Sequence, residues 1–280
     1  MMHLAGTRID EAAVKLAEHM ILYRQPAKFL MLQTTGLALR ISGYKGSMFG
    51  YPGQRPSSTV TMMSHRSHFL DCSISEAFAR TENPIKQFVI LGSGWDTRCY
   101  DLPKNSDVKC FEVDMAPTLN VKKDALIKSG IKSTHVTFVE TDFNQESWID
   151  SLLASGFDQK KITYILWEGV TMYLTDEAVN SALALFSTLP QGSLIGADFF
   201  TADLVKGNPP HETLSKRMHS AIKYYSEKIR FGIPTGETLS KGTKELAERH
   251  GLRLSKFENI GNETDKKNVP WYVFTEMKKG

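Results

Sequence analysis

The sequence is poor in cysteine. Its three, Cys72, Cys99 and Cys110, are odd in number and have no CxxC spacing. That argues against a disulfide scaffold and a thiolate metal centre, and makes reduced thiols in a cytosolic protein the expectation. Long apolar runs are also lacking. Phe29 to Leu32 is far too short to span a bilayer, and Tyr164 to Leu174 is broken by Glu168, so no membrane segment is expected. The first residues lack a basic stretch followed by an apolar core, so no secretory signal is expected. Nor does one sign of charge dominate. Thirty-four Lys and Arg face 31 Asp and Glu, a net charge of +3 scattered along the chain, which is no footprint for nucleic acid. The basic cluster of Lys266 and Lys267 with Lys278 and Lys279 reads as a solvated face and tail. His65 and His68 stand three apart without a Cys or carboxylate cluster at ligand spacing, so no metal is expected. A GxSxG elbow, a P-loop and internal repeats are absent as well.

What is present fits one large domain, or one domain with a sizeable insertion. At 280 residues the chain can bury roughly three-quarters of its unfolded surface without a staple. The first 40 residues read as helical, with Ile9, Ala13, Leu16 and Met20 on one face. Gly43 to Ser58, with four Gly, two Pro and three Ser, reads as a loop, and a helix follows over Thr59 to Arg80. After Pro84 the pattern changes. Short apolar runs predict strands at Gln87 to Leu91, Val108 to Val113, His135 to Glu140, Ile162 to Trp167 and Ser193 to Phe199. Helices are predicted between them at Ala116 to Ser129, Ser147 to Leu153 and Asp176 to Thr188. Repeated alternation of strand and helix implies βαβ units and a mostly parallel sheet. Thr201 to Arg230 reads as a helical insertion and Phe231 to Glu237 as a loop. Ser240 to His250 reads as a helix stopped by Gly251, and Leu252 to Phe257 and Val269 to Met277 as late strands.

The sharpest local feature is the run Val89 to Arg98, VILGSGWDTR, in which a buried strand enters a glycine turn at Gly92 and Gly94. In an open parallel sheet, ligands bind beyond the carboxyl ends of the strands, and glycine lets the backbone approach them. The third glycine of a dinucleotide fingerprint is replaced by Thr97, which weakens a pyrophosphate reading. Acidic residues end the next strands: Asp114, with Glu112, then Asp142, then Glu168. Such a rim suits a nucleoside carrying positive charge and repels one carrying two phosphates. Asp114 is placed to accept ribose hydroxyls and Asp142 an adenine amino group. Arg66 suits a cofactor carboxylate, or else a surface salt bridge. Trp95 and Trp167 read as core or pocket wall, and His211 and His219 as surface histidines.

These segments resemble the leucine carboxyl methyltransferase family, including its bacterial small-molecule O-methyltransferase relatives. The likeness rests on HRSHFLD at His65 to Asp71, on Val89 to Arg98 and on FEVD at Phe111 to Asp114. It rests further on Thr141 to Phe143 and on WEGVTMYL at Trp167 to Leu174. It covers residues 60 to 200 well and the last third more weakly; the first 58 residues find no match. The resemblance implies a Rossmann-like α/β sheet of the class I methyltransferases with S-adenosylmethionine (SAM) as cofactor. It implies cofactor contacts at Arg66, Gly92, Asp114, Asp142, Phe143 and Glu168, with Gly94 in the same turn, and places Tyr173 on the acceptor side. The expected organisation is an N-terminal helical cap over 1–85, a SAM-binding core over 86–200, a helical lid over 201–238 and a closing helix with late strands over 239–280. The expected activity is O-methylation of a small-molecule carboxylate or of a protein C-terminal carboxylate, the latter a reaction known in the family, with an NAD-dependent oxidoreductase, disfavoured by Thr97, and a non-catalytic SAM-binding protein as lesser alternatives.

Overall fold

A computed structural model describes residues 59–100, 107–143, 148–223, 228–262 and 269–279, together with residues 12, 15 and 16. Seven strands form one sheet: β1 (Gln87–Leu91), β2 (Lys109–Asp114), β3 (Val136–Glu140), β4 (Thr163–Trp167), β5 (Leu194–Phe200), β6 (Leu252–Ile260) and β7 (Tyr272–Lys279). Their order is β3-β2-β1-β4-β5-β7-β6. The first five run parallel, β7 pairs antiparallel with β5, and β6 pairs antiparallel with β7. Among the described residues from Thr59 onward the helices are α1 (Thr59–Phe78), α2 (Ala116–Lys128), α3 (Trp148–Ala154), α4 (Asp176–Phe186), α5 (Ala202–Lys206), α6 (Glu212–Lys223) and α7 (Leu239–Arg249).

The central strands are buried along their whole length because helices cover both faces. Successive strand residues point to opposite faces, so each strand feeds two cores. Val89, Leu91, Phe111, Val113, Ile165 and Trp167 pack with α3, α4 and α7 on one side. Phe88, Ile90, Cys110, Tyr164 and Leu166 pack with α1 and α5 on the other. Pro117 sits in the first turn of α2, where its missing N–H costs nothing. The Thr175 hydroxyl accepts from the Ala178 N–H and opens α4.

The elements follow the sequence closely, with shifts at their ends. α4 stops at Phe186 rather than Thr188, where the Ser187 and Thr188 hydroxyls bond to the Ala184 and Leu185 carbonyls. β6 runs on to Ile260 because β7 pairs with it as far as Tyr272, past an irregularity at Ser255. The segment after β5 is helical, as expected, and it is anchored: Leu204 and Ile229 are buried. The return strand of this segment is stitched across the sheet end, with Arg230 N–H donating to the Met172 carbonyl (2.7 Å) and Ile233 N–H to the Phe200 carbonyl (2.8 Å). Ala12, Lys15 and Leu16 are helical, and Leu16 is buried against Ala125 and Leu126. The rest of the predicted N-terminal helix, the Gly43 to Ser58 loop and the Lys266, Lys267 pair lie outside the described residues.

Candidate functional site

The carboxyl ends of β1, β2, β3 and β4 share one rim, and the glycine turn lies on it. The N–H groups of Gly92 and Ser93 both donate to the Val113 carbonyl, at 2.8 and 3.0 Å, so the turn is stapled to the end of β2. Asp114 completes the clamp: one carboxylate oxygen accepts the Gly94 N–H and the other the Met115 N–H, each at 2.7 Å. Gly92 has a φ of +67°, and a Cβ there would sit 2.2 Å from Val170 Cγ2, so only glycine lets the β4 loop come this close. Gly94 is the reverse case. A Cβ there would meet nothing nearer than the Gly92 carbonyl at 3.9 Å, so the space over the turn is open. Trp95 and Met115, one residue beyond Gly94 and Asp114, are both exposed. Asp142 and Phe143 follow β3 and are half-buried, with the Phe143 ring 6.5 Å from that of Trp148.

Beside this turn lies a network of charges. Glu168 accepts from Arg66 Nε at 2.7 Å and from Arg98 Nη1 at 2.6 Å. Arg98 also bonds Asp71 at 2.7 Å and Asp96 at 2.5 Å. Arg66 Nη1 donates to the Tyr272 hydroxyl at 2.9 Å, and the Tyr272 hydroxyl donates to Asp198, which lies 3.6 Å from Arg66. Asp198 further accepts the Gly169 N–H at 2.6 Å and so fixes the loop after β4. Burial pushes Glu168 up, but Arg98 and Arg66 outweigh it and hold the carboxyl below its ordinary value. For Asp198 burial prevails over Arg66 and Tyr272, and its pKa is raised. Burial pulls the Arg66 guanidinium down, yet Tyr272, Asp198 and Glu168 leave it raised overall. Four carboxylates thus face two guanidiniums.

The structure brings Gly92, Gly94, Asp114 and the Arg66–Glu168 pair to one end of the sheet. Tyr173 stands in the 3-10 turn Thr171–Tyr173, half-buried. Several expectations need correction. Glu112 does not end β2 on the rim. It is one pleat back, fully buried, with its carboxylate 2.6 Å from Lys122 Nζ. Of the two tryptophans read as core or pocket wall, Trp167 is core as expected, packed edge-on to Phe186 and Phe199, and Trp95 is exposed. His219 is exposed but His211 is buried, and burial lowers its pKa. Asp198, Tyr272 and Lys122 carry no sequence expectation at all. Asp198 had a signal, a lone acid inside the apolar strand LIGADFF, while Tyr272 and Lys122 had none.

A cleft of about 230 Å³ opens between α4, α5, α7 and the return strand, lined by Lys206, Arg230, Arg249, Asp176, Phe231 and Leu246 among others. No helix among the described residues is long and apolar enough to cross a membrane.

Comparison with known proteins agrees with this arrangement. A DUF574 family protein of Streptomyces avermitilis superposes with a TM-score of 0.51 at 16% identity, over 78% of this chain and 84% of that one, and so shares the fold. A protein of Mycobacterium sp. (strain KMS), named as an inferred SAM-dependent methyltransferase, is 33% identical over 200 residues, 71% of this chain and 63% of its own length. YktD of Bacillus subtilis, named likewise, is 38% identical over 117 residues, 41% of this chain and 38% of that one. The chain thus spans less than two-thirds of the length of these relatives. The leucine carboxyl methyltransferase family model matches residues 27–187, so the likeness begins within the first 58 residues, where none was expected, and takes in the glycine turn, the strand-end acids and the turn after β4. With that match over more than half its length, the chain belongs to the leucine carboxyl methyltransferase family.

Proposed function

We propose that the protein is a SAM-dependent O-methyltransferase and that its acceptor is the carboxylate of a small molecule. The observation that carries the first half is the clamp at the turn, where Asp114 is held by two backbone N–H groups beside open space over Gly94. A carboxylate so fixed still has lone pairs for two vicinal hydroxyls, as a ribose offers. The remaining donor set fits the same group. Acids dominate the rim, which suits a sulfonium and an ammonium and repels a pyrophosphate.

In this reading Asp142 accepts from the adenine amino group, Phe143 lies along the base, Glu168 faces the ammonium and Arg66 the cofactor carboxylate. When bound, SAM would supply a methyl group already activated on sulfur, for transfer to the acceptor oxygen. A carboxylate acceptor is ionised near neutral pH and needs no base, so the protein's work is to hold the oxygen in line and keep water out. Tyr173 stands on the acceptor side. Arg230, whose N–H donates to the Met172 carbonyl next to Tyr173, lines a cleft with Lys206, Arg249 and Asp176, and this excess of cations suits an anionic acceptor.

The test is thermal shift with SAM, S-adenosylhomocysteine (SAH) and NAD. Both SAM and SAH should stabilise the protein, by about 2.7 kcal/mol at about 100 times the dissociation constant. Asp114→Asn should fold but bind SAH about tenfold more weakly, since a charge-assisted bond contributes roughly 1.5–3 kcal/mol. A shift with NAD alone, or full SAH affinity in the folded variant, would overturn the reading.

A further inference from the structure

Behind the glycine turn lies a charged pair that the proposed chemistry does not use. Lys122 projects from the middle of α2, and Glu112 is in β2; both side chains are fully buried, with Nζ 2.6 Å from the carboxylate. Burying two charges costs several kcal/mol per ion before their attraction offsets it, and a matched apolar pair would pack here at no such cost. What the pair adds is a third contact. Lys122 Nζ also donates to the Ser93 carbonyl at 3.3 Å, inside the turn itself. That carbonyl accepts the Asp96 N–H too, at 2.8 Å, so it is the point where the turn closes on itself. The next residue is Gly94, whose N–H holds Asp114. The Tyr100 ring, with its centroid 5.8 Å from Nζ, closes the ammonium in. One buried cation therefore ties α2 and β2 to the peptide that aims both Gly94 and Asp114.

We propose that Lys122 is a positioning residue for the cofactor turn, holding the Ser93 carbonyl so that Gly94 and Asp114 stand ready for the ribose, and that Glu112 is the counter-ion that allows Lys122 to be buried there. The inference rests on the cofactor reading above. It separates two properties that a purely structural ion pair would move together. In Glu112→Leu/Lys122→Met, apolar groups of similar volume replace the pair, so the fold should keep or gain stability while the turn loses its strut. In Glu112→Gln a neutral amide replaces the carboxyl while Lys122 still reaches Ser93, so the turn should stay in place.

The experiment measures SAH affinity by calorimetry and melting temperature for the wild type and both variants. The expected result is that the double variant melts at or above the wild type but binds SAH at least tenfold more weakly, while Glu112→Gln binds within about threefold. Equal affinity in the folded double variant overturns the proposal, and so does a tenfold loss in Glu112→Gln. If the double variant does not fold, the Glu112→Gln arm alone decides. A wild type that does not bind SAH overturns the cofactor reading, and this inference with it.

Discussion

At the scale of single residues, the site depends on close approach at Gly92. Two separate effects forbid a side chain there. The φ of +67° is strained for any L-residue with a Cβ, at about 1 kcal/mol, and the Cβ would overlap Val170. Gly92→Ala should therefore lose about 2–4 kcal/mol of unfolding free energy in urea. Gly92→Ala/Val170→Ala removes the overlap but not the φ strain, so it should regain stability relative to the sum of the two single changes. If the two changes prove additive, Val170 is not what Gly92 makes room for. Asp114 and the turn glycines were legible in the sequence because they lie at strand ends, where local pattern and position coincide. Asp198 and Tyr272 were not, because a buried acid and a buried phenol acquire a role only from each other and from Arg66.

At the scale of elements, the loop after β4 ties the two halves of the rim together. Gly169 N–H reaches Asp198, the Thr171 hydroxyl donates to the Asp198 carbonyl at 2.5 Å, and Thr175 then starts α4. The cap and the site are neighbours in sequence but separate in function. Thr175→Ala should cost about 1 kcal/mol of stability, the usual loss of a helix N-cap. SAH affinity should hardly change, because the Thr175 hydroxyl and carbonyl are engaged by the Ala178 and Val179 N–H groups of α4. A tenfold loss of affinity would mean that the start of α4 sets the site after all. Element types and order were readable from period and punctuation; element ends were not, because they are fixed by partners such as β7, which carries β6 to Ile260.

For the molecule as a whole, the buried charges set how stability varies with pH. Burial pushes the Glu112 carboxyl up to about 7, well above its value in an unfolded chain. Between those two values the folded state holds a proton that the unfolded state has released. Stability from this group therefore falls as pH rises from about 4.5 to about 7, and is flat on either side. Glu168 has the opposite sign: its lowered pKa favours the fold above the ordinary carboxylate range, and that benefit is lost as pH falls from there through the lowered value. Urea unfolding of the wild type and of Glu112→Gln at about pH 5 and about pH 8 isolates the first effect. The wild type should lose stability relative to the variant on going to the higher pH. A constant difference would mean that Glu112 titrates alike in both states.

The sequence by itself determined the alternation of strand and helix, the glycine turn, the acids that follow it and the family. Each is written in residues next to one another, where periodicity, φ preference and strand ends act locally. Only the tertiary structure decided which charges meet. Arg66 bonds Glu168 across 102 residues and Tyr272 across 206, and Tyr272 reaches Asp198 across 74. It also withdrew Glu112 from the rim and paired it with Lys122 behind the turn. The physical reason is that a charge seeks a partner through space. Which partner it finds depends on which strand lies beside which, and order within the sheet is not order along the chain.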